Sequence, residues 1–529
     1  MRFSFILTSF FVIFTSITFA QNKTDRAHVE WGPDLTDKKD GSFSHVFGNT
    51  DEHVYMIVRR KKEAFVQKMD LNSKVIYQKL LPMKIDKAEH SLERISVFGD
   101  RILVFSQYFD KKQKMNELYL RIFDAADMSP QGRLQKIASI DVESKRAQGG
   151  FSMSISPDEK NVLVGVQLPF VKDNKEQFTL KVFNEDMILA WEQDVVLPYM
   201  DNEFSVEQMR VANDGSVVVV GVKYAEKREA KAMKKEGKAS YTYHLLTYDP
   251  DGGAPEDHAL EVTDRFLQDL TLDLGNEGDI LAGGFYGMKG THAIHGVFFL
   301  RLDRKTKAIL HSSFKEFGKD FITQYMTEKE EKKATKKAEK KGEDLEMYQF
   351  DLDDLVRRTD GGAVMVGEQY YEYQVTTCTT SANGGQTCRT TYHYVYNDII
   401  VVNIDPAGNI EWAAKVPKRQ HTVNDGGYYS SYALAVKEDR IYLMFNDSGK
   451  NLFLSPGQKV EPFKLTGKEA LITLATIDAD GNVSREALLA PDRRDAIARP
   501  RSCVQLTDDR MFIYASRKND HRYGSVVFQ

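Results

Sequence analysis

The sequence predicts an all-β fold, a propeller of four-stranded antiparallel blades, on three observations. First, short apolar runs recur eight times along the 529-residue chain, at variable spacing. Second, each run follows a turn signal rich in Asp, Asn and Gly, and most have a β-prone stretch on either side. Third, the runs are apolar at consecutive positions, so both faces of each strand must be covered. Radial stacking of antiparallel sheets covers both faces and also protects the strand edges.

The eight runs are expected to be the second strands of eight blades; seven blades is the alternative if the first unit is incomplete. They are HVYMIV (53–58), RILVF (101–105), NVLVGV (161–166), SVVVVGV (216–222), DILAGGFY (279–286), GAVMVG (362–367), RIYLMF (440–445) and RMFIYA (510–515). The last unit offers only three strands before the chain ends at Gln529. We therefore expect AHVEWG (27–32) to supply its outer strand and close the ring.

The first twenty residues are typical of a secretory signal peptide. Arg2 precedes an apolar run, and Thr-Phe-Ala ends at Ala20, where we expect cleavage. The alternative, an N-terminal membrane anchor, is disfavoured because the run is marginal in length and is diluted by polar Thr8, Ser9, Thr15, Ser16 and Thr18. No cysteine lies at or just beyond Ala20, which argues against a lipoprotein, and no later stretch approaches membrane-spanning length. Residues 21–529 are expected to form one exported propeller domain.

The charge balance excludes one class of partner. The chain has 72 basic and 77 acidic residues, a formal charge of −5, and losing Arg2 with the signal peptide makes it −6. A nucleic-acid-binding protein needs a basic surface to replace counterions, so none is expected here.

The three cysteines predict one disulfide and one free thiol. Cys378 and Cys388 flank a Ser-Ala-Asn-Gly-Gly turn between β-prone threonines, which predicts the tip of a hairpin. The two cysteines lie directly opposite only if the loop has an odd number of residues, and a three-residue loop, 382–384, meets this condition. Cys503 is expected to be a buried free thiol within the first strand of the last blade.

Helical and hairpin insertions are predicted at 225–240, 318–348 and 370–396. The first of these, and residues 327–346 of the second, are helix-prone, polar all round and locally basic. One interpretation is a solvated helix stabilised by ion pairs such as Glu328 with Lys332. The other is a docking element for an acidic partner or anionic lipid headgroups. In a four-stranded blade, second-to-third connections and blade-to-blade connections leave the same face. Together with 106–117, 167–178 and 446–470, the insertions should therefore elaborate one face, which we expect to be the functional one.

Seven aromatic residues of the 370–396 insertion are the candidate binding residues. They are Tyr370, Tyr371, Tyr373, Tyr392, His393, Tyr394 and Tyr396. Cross-strand aromatic pairs can stiffen a long hairpin, and an aromatic surface can bind a sugar or a peptide. The two interpretations are compatible.

No catalytic residue, metal or cofactor is predicted. Asp-x-x-Gly turns at Asp249, Asp405 and Asp478 begin like calcium loops, but an apolar residue stands at each twelfth position, where a Glu ligand is needed. His292 and His295 have the spacing of a metal pair without a third ligand nearby. Nucleophile-elbow, HExxH and P-loop motifs are absent.

One unit carries a resemblance to a known family. Asp360-Gly361-Gly362 through Gly367, followed by Asp405-x-x-Gly408-Asn409-x-x-Trp412, resembles the repeat of secreted β-propeller proteins common in Bacteroidetes. Gly361 and Gly362 are expected to take positive φ in the turn, and Gly367 to end a buried strand. The resemblance implies export to the periplasm or envelope of a Gram-negative bacterium and no particular activity.

Two functions of different classes remain open. The first is a non-enzymatic interaction propeller that binds a protein, peptide or glycan. The second is a glycan-active enzyme, a lyase or hydrolase, with its site over the central axis. A cluster of Asp, Glu, His, Arg and Tyr at the axial opening would favour the enzyme, and an aromatic or charged outer rim would favour binding.

Overall fold

The computed structural model describes residues 23–529 apart from 86, 145, 237, 254, 261, 263–264, 276–278, 289–292, 342–344, 382–384, 466 and 491–495. The signal peptide predicted at 1–20 lies outside the described residues. The described chain is predominantly β-strand, and none of its helices combines the length and apolar character needed to cross a membrane.

The described strands form eight antiparallel sheets of four or more strands, numbered here 1 to 8 in chain order. Sheet 1 comprises Ser42–Asn49, His53–Arg60, Glu63–Asp70 and Val75–Leu80. Sheet 2 comprises Ser91–Phe98, Arg101–Asp110, Met115–Asp124 and Pro130–Asp141. Sheet 3 comprises Gly150–Ile155, Asn161–Gln167, Lys175–Asn184 and Leu189–Met200. Sheet 4 comprises Phe204–Val211, Val217–Tyr224, Tyr241–Tyr248 and Glu256–Leu260.

Sheets 5 to 8 repeat this order with additions. Sheet 5 comprises Phe266–Leu267 and Thr271–Leu274, then Ile280–Gly287, Gly296–Leu302 and Ile309–Glu316. Sheet 6 comprises Phe350–Arg357, Ala363–Thr380, Gln386–Ile404 and Ile410–Val416, with Gln420–Val423 added. Sheet 7 comprises Ala433–Lys437, Arg440–Ser448, Ala470–Ile477 and Val483–Leu489. Sheet 8 comprises Ile497–Ala498, Val504–Thr507, Arg510–Arg517 and Asp520–Phe528, with Ala27–Trp31 and Leu35–Thr36 from the other end of the chain.

The remaining elements are short. Lys84–Ile85 pairs with Ala88–Glu89, and Ala293–Ile294 pairs with Met347–Tyr348. The helices described are Asp37–Asp40, Lys227–Lys235, Lys319–Thr323 and Glu328–Lys341, and 3₁₀ turns cover Gly449–Asn451 and Pro500–Ser502.

The hydrophobic core is divided among neighbouring sheets and runs around a ring. Val217 and Val219 pack in a cluster shared with sheet 3, and Val218 and Val220 pack in a cluster shared with sheet 5. Successive side chains of a strand point to opposite faces, so a continuous apolar run supplies both clusters. Each further pair of consecutive sheets shares a cluster of its own, and one more cluster joins sheet 8 to sheet 1. This closed series of sheet-on-sheet contacts is a β-propeller.

The two ends of the chain meet in sheet 8, as the sequence predicts. Ala27–Trp31 pairs antiparallel with the last strand, so that Ala27 lies opposite Phe528 and Val29 opposite Val526. Ala27, Val29 and Phe528 are buried in the core shared with sheet 7. The first described strand is therefore the outer strand of the last sheet.

The long connections contact one another. Gly457, in the 449–469 connection of sheet 7, donates its N–H to the carbonyl of Gln324 in the 318–348 insertion at 2.9 Å. Arg419 lies 3.8 Å from Glu330 of the same insertion, and Phe463 donates its N–H to the carbonyl of Arg419 at 2.8 Å. These contacts bring the sheet 6–7 connection and both insertions to one surface.

Three details differ from the sequence predictions. Residues 106–117 are mostly paired strand rather than a long connection, because Asp110 accepts N–H groups from Lys112 and Gln113 and closes a tight turn. Gly361 has the expected positive φ of 91°, whereas Gly362 has no positive φ. A Cβ on Gly362 would lie 2.6 Å from a neighbouring carbonyl oxygen, so close packing is its reason. Gly367 lies inside a strand that continues to Thr380.

Candidate functional site

The arm, defined as residues 370–396, is the part of sheet 6 that extends beyond its neighbours. The first strand of the sheet pairs with Ala363–Thr380 only as far as Gln369, whereas the hairpin pairing continues to Thr380 and Gln386. Residues 372–380 are exposed on both faces. The ten residues 371–380 extend the hairpin by ~33 Å at the usual rise of a strand.

A disulfide joins the two strands near the tip of the arm, as predicted. Cys378 and Cys388 lie directly opposite in the register, with their sulfurs 2.05 Å apart. The pairing continues to Ser381, whose N–H donates to the carbonyl of Gly385 at 2.8 Å. The predicted three-residue loop, 382–384, lies outside the described residues.

Cys503 is a buried free thiol, but its predicted place in a strand is wrong. It follows the 3₁₀ turn Pro500–Ser502, and its N–H donates to the carbonyl of Pro500 at 2.9 Å, so the strand begins only at Val504. Burial raises the pKa of the Cys503 thiol to about 12.

The aromatic residues of the arm occupy both of its faces. Tyr370, Tyr392, Tyr394 and Tyr396 share one face, and Tyr371, Tyr373 and His393 share the other. Alternation along each strand imposes this division, so the seven residues do not form a single surface. On the first face the rings of Tyr370 and Tyr396 lie 4.7 Å apart, near the base of the arm.

The second face carries an ordered stack that includes a histidine missed by the sequence analysis. The rings of Tyr373 and His393 are stacked with centroids 4.5 Å apart and an interplanar angle of 7°. His421, from the added strand Gln420–Val423, lies beside them, with its Nε2 2.9 Å from Nδ1 of His393. His421 is 28 residues from His393 in the sequence, and only the pairing of the added strand with the arm brings the two together.

A buried polar network holds the base of the arm. Glu368 and Lys418 form an ion pair with almost no side-chain exposure. Ser431 donates its hydroxyl to Glu368 at 2.7 Å, and Lys418 donates to the side-chain oxygen of Gln420 at 3.1 Å. The backbone N–H of Ser431 donates to the same Gln420 oxygen at 2.7 Å. The network therefore ties the arm to the connection between sheets 6 and 7.

A cavity of about 430 Å³ lies beside this network, between the first strands of sheets 6, 7 and 8. Its lining residues come from the first strands and the segments beside them, and in a propeller the first strand of each sheet lies nearest the axis. The hydroxyl of Tyr432 lies 3.0 Å from Asp353 and 3.2 Å from Asp354. Arg501 lines the cavity and donates to the hydroxyl of Tyr396 at 3.1 Å, which links the cavity to the arm.

Asp353 has an unusual environment for a carboxylate. The residue is exposed and lines the cavity, yet neighbouring protein still desolvates its carboxyl group. This desolvation, together with the charge of Glu368, raises the pKa of Asp353 to about 7, although the hydrogen bond from Tyr432 acts in the opposite direction. Burial also raises the pKa of Asp354.

A β-bulge whose unpaired residue is acidic recurs in the first strands of three sheets. The register between first and second strands shifts at Asp353, at Glu207 in sheet 4 and at Glu93 in sheet 2, leaving each residue without a direct partner. In all three sheets the shift falls opposite the end of the apolar run. Bulges of this kind redirect a side chain. Sequence analysis does not locate them, because a bulge leaves no fixed residue signature.

The described residues offer no group of three or more His, Cys, Asp or Glu side chains arranged to hold a metal ion. Asp405 and Asp478 each accept the backbone N–H of the residue four positions on, at 2.7 and 2.9 Å, which is the turn geometry predicted for them. His295 lies 3.3 Å from Glu316, and His292 is outside the described residues. The basic segments form the helices Lys227–Lys235 and Glu328–Lys341, and Lys332 pairs with Glu328 at 3.5 Å.

No protein-family model matches the chain, and no curated protein matches its sequence. Among solved structures, the chain is similar to a protein of unknown function from Bacteroides caccae, with 12% identity over 69% of this chain and 94% of that chain and a TM-score of 0.28. It is similar to the WD40 domain of SCAP from fission yeast, with 9% identity over 95% and 94% and a TM-score of 0.41. It is also similar to the β-propeller domain of the Trilobed protease from Pyrococcus furiosus, with 11% identity over 72% and 97% and a TM-score of 0.32. At TM-scores below 0.5, these likenesses assign no activity.

Proposed function

We propose that this protein is an exported, non-enzymatic binding propeller of the bacterial cell envelope, whose ligand is a protein, a peptide or a glycan. The observation that carries the proposal is the arm, a projecting hairpin that presents ordered aromatic rings to solvent. Tyr373 and Tyr392 keep 41% and 45% of their surface exposed, one on each face. Exposed aromatic side chains on a rigid element are typical of binding sites.

The construction of the arm favours binding over a merely structural role. An isolated two-stranded hairpin is marginally stable in water. The disulfide, the stacked rings and the added strand Gln420–Val423 stabilise it in one conformation. A binding element that is ordered in advance loses less conformational entropy when its ligand binds.

The proposed arrangement of the ring makes the arm side the functional face. In our proposal, each of the eight sheets is one blade, and the insertions 225–240, 318–348 and 370–396 leave the same face. The ring of shared core clusters and the contact between Gly457 and Gln324 support this arrangement. The basic helices within two of the insertions would then offer the same face to an acidic partner or an anionic headgroup.

Export is supported by three features. The sequence of residues 1–20 is typical of a signal peptide, and a disulfide persists in oxidising compartments such as the periplasm. The repeat around Asp360 and Trp412 adds the resemblance to secreted propellers of Bacteroidetes.

Site-specific photo-crosslinking in the native envelope tests the proposal. A photo-reactive amino acid replaces Tyr373 or Tyr392 on the arm, and the matched control replaces Asp186, an exposed residue in the turn 185–188. We expect a discrete crosslinked product from the arm positions, competed by unlabelled protein, and none from position 186. Equal products from all three positions, or none from the arm, would contradict the proposal.

A second candidate function rests on the axial cavity. Asp353, Asp354 and Tyr432 converge there, and a carboxyl group with a pKa near 7 suits general acid–base chemistry on a glycan. The test is depolymerisation of a polysaccharide panel, measured by new reducing ends. Activity that Asp353→Asn abolishes and Tyr373→Ala leaves unchanged would establish this function, and inactivity across the panel would favour binding alone.

A further inference from the structure

We propose that the arm carries a metal site, in which Nδ1 of His393 and Nε2 of His421 chelate one divalent transition-metal ion such as Zn²⁺. The site goes beyond the proposed binding function: it shares Tyr373 and His393 with the aromatic residues of the arm and adds His421. Imidazole nitrogens are the preferred ligands of zinc and copper among neutral side chains.

The spacing of the two nitrogens fits a shared ion. They lie 2.9 Å apart. Zinc–nitrogen bonds of 2.0–2.1 Å in a tetrahedral arrangement place two ligand nitrogens about 3.3 Å apart. The two nitrogens therefore need to move apart by about 0.4 Å, and the rings need to tilt so that both lone pairs point at the ion. Both belong to solvent-accessible side chains, so the ion can reach them from bulk water.

The hydrogen bonds around His393 fix the tautomer that a metal needs. The hydroxyl of Thr391 donates to the carbonyl of Val375 at 3.2 Å, so its oxygen is left to accept from Nε2 of His393, 3.3 Å away. With its proton on Nε2, His393 presents the lone pair of Nδ1 to His421. An outer partner that orients the second nitrogen of a ligating histidine is the usual arrangement in metal sites.

The same hydrogen bonds determine which nitrogen of each histidine carries a proton when no metal is bound. His421 must donate its Nε2 proton to Nδ1 of His393, since that nitrogen bears no proton. On metal binding, the proton of His421 moves through solvent to its own Nδ1, and the ion takes the place of the hydrogen bond. Both imidazoles stay neutral, so they release no net proton.

Tyr373 completes the site in two ways. Its ring is stacked on His393 and restricts rotation of the imidazole. Its hydroxyl lies 3.5 Å from Nε2 of His421, within reach of a third coordination position, and water fills the fourth. Two imidazoles and water leave a tetrahedral site with one further position. The Tyr373 oxygen would occupy that position as the phenolate, and its proton would pass to solvent.

A bound ion would fasten the arm to the added strand. His393 belongs to the long strand Gln386–Ile404, and His421 belongs to Gln420–Val423, so the ion links the two strands side to side. The expected consequence is slower amide exchange in residues 386–396 and 420–423 when zinc is present.

Calorimetric titration of the tag-free mature chain with ZnSO₄ tests the proposal. We expect one ion per chain, with binding weakened at least 100-fold in His393→Gln and in His421→Gln. In His421→Gln the new side-chain amide still donates a hydrogen bond to His393, which preserves the metal-free contact while removing the ligand. Thr391→Val should weaken binding 10–100-fold, the usual effect of losing an orienting partner. The control is His258→Gln, at a half-exposed histidine of sheet 4, which should bind zinc like the parent.

A second measurement uses the parent protein alone, so it does not depend on variants that could disturb the fold of the arm. Nitrogen NMR of parent protein with labelled histidine should show that Nδ1 is the unprotonated nitrogen of His393 before zinc is added. After zinc is added, the signals of Nδ1 of His393 and Nε2 of His421 should shift. No zinc binding by the parent, binding unchanged in His421→Gln, or a bare Nε2 on His393 would each overturn the proposal.

Discussion

Removing the disulfide should loosen the arm without destabilising the ring. The perturbation is the double variant Cys378→Ser, Cys388→Ser. The bridge closes a loop across a sequence separation of 10. On the chain-entropy model, closing a loop of this size stabilises the hairpin by about 2.7 kcal/mol.

The effect should be local because the arm contributes little to the core. Residues 372–380 and 385–389 are exposed, and none of them belongs to a hydrophobic cluster. Opening of the hairpin tip therefore leaves the sheet-on-sheet contacts intact. Since 1.4 kcal/mol is a factor of ten, the loss corresponds to a roughly hundredfold larger open population.

Hydrogen–deuterium exchange with peptide-level resolution is the assay. We expect amides of 374–392 to exchange about 100-fold faster in the double variant, and the strands of sheets 1 to 5 to be unaffected. Chemical unfolding should lose no more than the same ~2.7 kcal/mol, because the bridge also restricts the globally unfolded chain. A larger loss of the free energy of unfolding, or unchanged exchange in the arm, would refute the assignment of the disulfide to a local role.

Three further predictions concern the Glu368–Lys418 ion pair, the closing strand and Asp353. Lys418→Met should lower the free energy of unfolding by ~3–5 kcal/mol, because it leaves the carboxylate of Glu368 buried without its partner, and adding Glu368→Gln should recover most of the loss. Phe528→Ala should cost ~3–5 kcal/mol although it is the penultimate residue, because its ring is buried where the chain ends meet, whereas Gln529→Ala should cost nothing measurable. The stability of Asp353→Asn relative to the parent should increase as pH rises from 5 to 8. In the parent, the raised pKa of Asp353 means that the folded state holds a proton that the unfolded chain releases above about pH 4, so the parent loses stability over this range. Below about pH 4 that contribution is fully present, and it is lost as pH rises through about 7.

Denaturant titrations at pH 5 and pH 8 decide all three. A double variant at Lys418 and Glu368 no more stable than the single variant would mean that the ion pair is not the source of the loss. A cost below about 1 kcal/mol for Phe528→Ala would contradict ring closure by the termini. A constant stability difference between Asp353→Asn and its parent at both pH values would contradict the raised pKa.

Thiol titration checks the cysteine assignment. The native protein should react with none of its cysteines at neutral pH, because Cys503 is buried and its pKa is raised to about 12. The denatured, unreduced protein should give one thiol per chain. Three thiols in protein never exposed to reductant would contradict the bridge.

Local patterns were sufficient for most of the strands and turns and for the disulfide. The run Val217–Val220 is apolar at every position, and in the structure its alternate side chains enter two different clusters. The hairpin around Cys378 and Cys388 follows from turn residues within a few positions of each other. Even the long-range closure by Ala27–Trp31 was predictable, because the last unit lacked one strand and an unpaired edge had to be covered.

The candidate site was predictable only in part. The sequence places aromatic residues on the arm, but alternation divides them between two faces, and the partner of His393 is a histidine 28 residues away that no spacing rule selects. Glu368 and Lys418 look like ordinary surface charges in sequence, and only packing at the base of the arm buries them against each other.

The chain by itself determined the repeated strands, the closing strand and the bridge, because these depend on local propensity and on the need to cover apolar faces. The tertiary structure decided which side chains from separate sheets converge. The pKa of Asp353 is raised because the fold desolvates its carboxyl group and brings it near the charge of Glu368, and His421 contacts His393 because an added strand pairs with the arm. These side-chain contacts depend on strand register and on sheet-on-sheet packing, and both are set by contacts between residues distant in sequence.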